Sequence, residues 1–167
     1  MNFINGGVTA AKGFVASGIH CGIKNNYPKK DLAMIKSEVK CTAAAVYTQN
    51  KVYGAPITVT RNNISDGYAQ AVIVNSGNAN TCNSDGVEKA QMMCDIAAES
   101  LGVKADDVIV ASTGVIGMSL DVTPIANAAD ELAAQVSENG GHSKQQLCLR
   151  FERDCCGRTG RLCGLRR

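Results

Sequence analysis

A mixed α and β fold is what this sequence predicts, and three observations predict it. Short apolar runs stop at turn-forming residues, as buried strands do. Two longer segments repeat apolar or small residues at spacings of three and four, as helices do. Several strand-like runs come first, and a further strand links the two helices. There is no internal repeat.

The elements follow in order. Between Lys12 and Lys24 the chain is punctuated by glycine, and Phe14, Val15, Ile19 and Ile23 belong to irregular strands. Leu32 to Ile35 reads as a short strand. Cys41 to Thr48 and Ile57 to Thr60 are β-branched or small-residue runs, separated by Tyr53-Gly54-Ala55-Pro56, and also read as strands. Ala71 to Val74 is a continuous apolar run, a buried central strand ending in the loop Asn75-Ser76-Gly77-Asn78. A helix spans Asp85 to Leu101, with Val87, Ala90, Cys94, Ala97, Ala98 and Leu101 on one stripe and Gly102 as its stop. Val108 to Ala111 is another buried strand. A second helix starts at Thr123, whose side chain can cap it, with Pro124 in its first turn. Its stripe is Ile125, Ala128, Ala129, Leu132, Ala133 and Val136, and it ends at Gly140-Gly141.

The chain is 167 residues long, enough for one ordinary domain or two very small ones. Its 45% apolar and 19% charged residues fit a packed core rather than wholesale disorder. With 4% aromatics and no Trp there is little to stack on bases, so nucleic acid is not an expected partner. No apolar run approaches the ~20 residues of a membrane span. Residues 1 to 11 lack the basic and apolar regions of a secretion signal, so the cytoplasm is the expected location. These averages hide a break near residue 143. Residues 1–143 carry ten Lys and Arg against thirteen Asp and Glu; residues 144–167 carry seven against two. Six of the seven Arg and four of the eight Cys lie in that tail, at Cys148, Cys155, Cys156 and Cys163. The expected organisation is therefore a body, 1–143, and a basic Cys- and Arg-rich tail, 144–167, that is disordered.

Two loops are candidates for chemistry. Asn75 to Asn80 supplies donors, acceptors and a tight turn at a strand end; it is either the wall of a small-molecule site or an Asx-rich turn satisfying its own backbone. Ser112-Thr113-Gly114 with Gly117 puts a hydroxyl beside a free amide. That pair suits a tetrahedral oxyanion, where one donor can be worth ~3 kcal/mol, or it is a plain glycine turn between strand and helix. A phosphate loop is a poorer match without the Lys of that motif. His20 and His142 are far apart, and Cys21, Cys41, Cys82 and Cys94 lack a C-x-x-C spacing, so these cysteines read as reduced buried thiols and no metal site is expected.

In series, Gly6-Gly-Val-Thr-Ala-Ala-Lys-Gly-Phe14, Gly22-Ile-Lys24 with Asp31-Leu-Ala33, Ala55-Pro56, Val74-Asn-Ser-Gly-Asn-Ala-Asn80 and Ala111-Ser-Thr-Gly-Val-Ile-Gly117 resemble the N-terminal part of the glutamate N-acetyltransferase (ornithine acetyltransferase) family of arginine biosynthesis. The resemblance covers about residues 3–143. One departure is Ala11, where the family usually has Pro. It implies a layered sheet-and-helix fold, shared with amide hydrolases that also cleave themselves, and incomplete in this chain. It implies a precursor cut autocatalytically into α and β chains that assemble as an α2β2 heterotetramer. A Thr exposed at the start of the β chain moves acetyl from N2-acetylornithine to glutamate without a cofactor, acetyl-CoA being a further acetyl donor in some members. The matching positions carry the oxyanion hole to Thr113 and Gly114.

The family's M-T-T-D-T, A-K-G-S-G-M and N-M-A-T segments, the last holding the nucleophile, have no counterpart here. From about Lys144 the chain reads KQQLCLRFERDCCGRTGRLCGLRR. The resemblance and the body's composition end together, which is the expectation for an out-of-frame tail. An α-chain portion without its nucleophile is expected to be inactive alone and to leave apolar strand faces exposed. The alternatives are a non-catalytic module holding an amino acid or acyl group, or a fragment of a self-cleaving amide hydrolase.

Overall fold

The computed structural model describes residues 7–24 and 28–142. Gly6 of the first motif and the tail at 144–167 lie outside the described residues. Among the described residues four strands form one sheet: β1 (Phe14–Ile19), β2 (Leu32–Thr42), β3 (Tyr68–Asn78) and β4 (Val108–Val115), in the order β1-β2-β3-β4. The first two pairings are antiparallel and β3 pairs with β4 in parallel. Three helices join them: α1 (Ala55–Asn63), α2 (Gly86–Leu101) and α3 (Thr123–Ala134). A parallel pair needs a crossover, and α2 supplies it between β3 and β4.

All three helices pack on one face. The strand side chains in the core are Leu32, Met34, Ala71, Ile73, Val108 and Val110, which alternate along their strands and line up across the register. Against them lie Ala90, Met93, Cys94 and Ala97 of α2 and Ile125, Ala129 and Leu132 of α3. Burying each large side chain contributes roughly 1.5–3 kcal/mol. On the opposite face Ala33, Ile35, Val72, Val74, Ile109 and Ala111 are only half-buried.

Several elements differ from the sequence reading. Ile57 to Thr60 is helical, not extended. Gly54 is extended just before α1 and Pro56 sits in its first turn, where a missing N–H is harmless. Pro56, Val59, Thr60 and Asn63 then face inward at helical spacing, so packing overrides the β-branched preference. Cys41 and Thr42 end β2, and residues 43–48 have no regular structure. In α2, Met93 joins the buried stripe while Val87 is 48% exposed. α3 starts one residue earlier than expected: Val122 takes the N-cap position without a side-chain cap bond, Thr123 is already helical, and Asp121 Oδ1, two residues back, accepts from the Thr123 N–H at 2.9 Å. That helix ends at Ala134, and Glu138–His142 forms a 3₁₀ turn instead of a continuation.

Candidate active site

The two candidate loops are neighbouring strand ends. β3 runs on through Asn78 and β4 through Val115, and they pair Asn75 with Ser112, Ser76 with Thr113, Gly77 with Gly114, and Asn78 with Val115. The polar segment expected as a loop is therefore mostly strand; only Ala79 and Asn80 of it lie beyond β3. Its Asn side chains clamp backbone. Asn75 Nδ2 donates to Asn78 O at 3.0 Å, Asn80 Nδ2 donates to Gly86 O at 2.8 Å, and Asn78 Oδ1 accepts from Asn80 N at 2.7 Å. Asn78 Nδ2 reaches Met118 O at 3.0 Å and Ser119 O at 3.2 Å, holding the segment after β4 against the end of β3.

Glycine is required where the two strands approach. Gly114 has φ +139°, and a Cβ there would collide with the backbone of Gly77 and reach Asn78 N at 2.6 Å. The short separation brings both motifs to one place at the carboxyl ends of the parallel pair, the usual site for ligands in such sheets.

Along a strand the backbone groups of alternate residues point to opposite edges. Asn63 Nδ2 donates to Val108 O at 2.8 Å, and Thr60 Oγ1 donates to Val110 O at 2.9 Å while accepting from Val110 N at 3.2 Å. These groups face α1, away from β3. Val115 O, on the other parity, accepts from Ala79 N at 2.8 Å on the β3 side. Ser112 and Gly114 share the parity of Val108 and Val110, so their amides turn to the open edge of β4. A cavity of about 460 Å³ lies at that edge, lined by Ser112, Thr113 and Gly114 with Tyr47, Gly54 and Thr81 among others. Gly114 also lines a second cavity of about 700 Å³, whose walls include Lys24, Gly77, Met118 and Asp121. Thr113 is buried, with 6% of its surface exposed.

The second family motif, Gly22-Ile-Lys24 with Asp31-Leu-Ala33, is held together by its own Asp31. Asp31, fully buried, accepts from Cys21 N at 2.7 Å, Gly22 N at 3.2 Å and Lys24 N at 3.0 Å. His20 Nδ1 lies 3.1 Å from the same carboxylate. Burial works against the charge, but the Lys24 and Cys21 amides outweigh it and hold the Asp31 carboxyl below its usual range. Burial, reinforced by the Asp31 charge, pushes the Cys21 thiol up to about 12, so it is no nucleophile at neutral pH. The wrapped loop sets Ile23 and Lys24 against Gly77, where an added Cβ would meet Ile23 Cγ2 at 2.9 Å. The sequence signal was an Asp seven residues after a Gly-Ile-Lys segment.

A model of the ArgJ family matches residues 15–149. The chain belongs to the ArgJ family. Among relatives, it is 46% identical over 143 residues to the arginine biosynthesis bifunctional protein ArgJ of Symbiobacterium thermophilum, covering 84% of this chain and 36% of that protein. It is 46% identical over 149 residues to the ArgJ protein of Gloeobacter violaceus, covering 88% and 36%. The chain thus spans about a third of the length of these curated relatives. The crystal structure of ArgJ from Bacillus halodurans superposes with a TM-score of 0.75 at 44% identity, over 82% of this chain and 72% of that one. Ornithine acetyltransferase from Mycobacterium tuberculosis, crystallised with ornithine, gives 0.76 at 33% identity, over 81% and 74%. The mixed α/β architecture is common to all three. Among the described residues, no helix is long and apolar enough to cross a membrane.

Proposed function

We propose that this ArgJ-family chain is the oxyanion-hole portion of a cytoplasmic N-acetyltransferase that moves acetyl from N2-acetylornithine to glutamate. What supports the reading is the register of β4, whose alternation turns the Gly114 amide toward the open edge, together with the cavity at that edge lined by Ser112, Thr113 and Gly114. In this scheme a Thr hydroxyl from outside these residues attacks the acetyl carbonyl. Negative charge develops on the carbonyl oxygen, where the Gly114 N–H and Thr113 stabilise it. The C–N bond breaks, the amine of ornithine takes the proton that the Thr gave to its own α-amine, and acetyl remains on Thr as an ester. Glutamate's amine then attacks the ester carbonyl, the ester C–O bond breaks, and the proton lost by that amine passes through the α-amine to Thr Oγ, restoring the hydroxyl and releasing N-acetylglutamate.

A second chain of the same precursor supplies the nucleophile and completes an α2β2 assembly. Two features support this. The half-buried apolar face of the sheet is a surface for it to cover. The chain also covers 72% of the crystallised Bacillus halodurans chain but 36% of the Symbiobacterium protein, so the crystallised chain is about half as long as that relative. A cut precursor has that proportion. Residues 144–167 we read as out-of-frame; an intact frame encoding them in independent isolates of the gene overturns that part alone.

The experiment is acetyl transfer from N2-acetylornithine to glutamate by the purified chain, alone and mixed with a family β chain. The proposal expects none alone and recovery on mixing. Transfer by the chain alone places the nucleophile within these residues and refutes the assignment.

A further inference from the structure

Two layers of chain are stacked behind Gly114. A Cβ on Gly114 would run into the backbone of Gly77, and a Cβ on Gly77 would in turn meet Ile23 Cγ2 at 2.9 Å and Lys24 Cγ at 3.0 Å. Gly77 therefore fills the space that a side chain on Gly114 would need. The 22–24 loop does the same for Gly77. Gly114 is backed by Gly77, and Gly77 by Ile23 and Lys24.

Asp31 ties both layers together. Its Oδ1 accepts from Cys21 N, and its Oδ2 accepts from Gly22 N and Lys24 N. Bonds to a charged acceptor are roughly twice as strong as neutral ones. An Asn in its place would turn an NH2 group toward at least one of these donors. The Asp31 backbone is engaged as well: its N donates to Ile19 O at 2.9 Å, and its O accepts from Ser76 N at 2.8 Å. Ser76 precedes Gly77 and is the register partner of Thr113. One buried residue thus fixes the loop that covers Gly77, the end of β1 and the β3 residue just before Gly77. An oxyanion donor has to be held in place before charge develops, to within about 0.5 Å. We propose that Asp31 is a positioning residue for acyl transfer: its carboxylate holds the 22–24 loop on Gly77, and Gly77 holds the Gly114 amide in place. Asp31 acts through Ile23 and Gly77, not by touching substrate. The inference rests on the acyl-transfer reading and adds to it the residue that sets the position of its donor.

The test compares Asp31→Asn, Ile23→Ala, their double variant and Gly102→Ala in the full chain, below every thermal midpoint. Gly102 has nothing within 4 Å of its Cβ position, so its variant is a control for lost stability alone. Amide NMR shifts are read on the labelled chain, and kcat and KM for acetyl transfer after mixing with a family β chain. Asp31→Asn is expected to move the Gly77 and Gly114 amides along with those of Cys21, Gly22 and Lys24. Its kcat falls about ten- to a hundredfold with KM little changed. Ile23→Ala moves Gly77 and Gly114 while Cys21 keeps its shift, and the double variant loses no more kcat than the worse single one. Gly102→Ala leaves the Gly114 amide and kcat as in wild type. The proposal is overturned if Gly77 and Gly114 keep their wild-type shifts in Asp31→Asn, if the two kcat losses add, or if Gly102→Ala matches them. Should Asp31→Asn not fold, Ile23→Ala decides by itself, and an unmoved Gly114 amide in that variant overturns the proposal. A wild-type mixture without transfer refutes the acyl-transfer reading, and the amide shifts still decide whether Asp31 sets Gly114.

Discussion

Replacing Gly114 by Ala tests the contact on which the site is built. At φ +139° an L side chain is strained by about 1–3 kcal/mol. The new Cβ also runs into the backbone of Gly77 and Asn78, which cannot turn aside as a side chain end can. Overpacking of that kind adds about 1–3 kcal/mol, so the expected loss is roughly 2–6 kcal/mol. Two other glycines calibrate it. Gly102 has φ +67° with nothing within 4 Å of its Cβ position, so its Ala variant is charged with left-handed strain alone, about 1–2 kcal/mol. Gly77 has φ +133° but meets side-chain atoms, Ile23 Cγ2 and Lys24 Cγ at 2.9 and 3.0 Å, which can move by the few tenths of an ångström needed more readily than backbone can. Urea unfolding of the three variants should therefore rank the losses Gly102→Ala, Gly77→Ala, Gly114→Ala, smallest first. A Gly114→Ala chain no less stable than Gly102→Ala would refute the close approach of β3 and β4.

Further outcomes follow from the hydrogen bonding. Asp31→Asn is expected to lose about 1.5–3 kcal/mol, because it removes the charge from a buried carboxylate held by backbone amides; thermal or urea unfolding measures it. The folded-state pKa of Asp31 is depressed, so its stabilisation is complete above the unfolded value near ~4 and fades as pH falls through the folded value. The acid limb of the stability profile should flatten in the Asn variant, and an unchanged limb would count against the nest. Thr60→Val strips the Val110 N–H and C=O of their partner on α1 and is expected to cost about 1–3 kcal/mol in thermal unfolding. Val74→Lys on the half-buried sheet face should leave the fold of the chain intact and abolish co-purification with a family β chain; unimpaired co-purification would show that face is not the interface.

Much of this fold was legible as pattern. The apolar runs AVIV and VIVA mark β3 and β4 because strands with a buried face and a paired neighbour are apolar throughout. The three-four spacing marks α2 and α3 because each buries one stripe. What pattern missed is set by distant partners. Ile57 to Thr60 looks like strand locally, but Pro56 and the contact with the β4 edge make it helix. The extensions of β3 and β4 through Asn, Ser and Gly are invisible to hydrophobicity, since they are held by ladder bonds and Asn side chains. For the same reason the two glycine motifs looked like separate turns, and each alone was open to a structural reading. Only the register sets Gly77 against Gly114 and turns the Gly114 amide to the cavity.

Stabilisation of an oxyanion by Gly114 and Thr113 is tested by kcat for acetyl transfer by Thr113→Ala in the chain reconstituted with a family β chain. A fall of about 10²- to 10³-fold with KM little changed is the expected result, since the interaction exists only once charge has developed. A Thr113→Ala enzyme with wild-type kcat, or one whose whole defect lies in KM, would show that Thr113 stabilises no oxyanion.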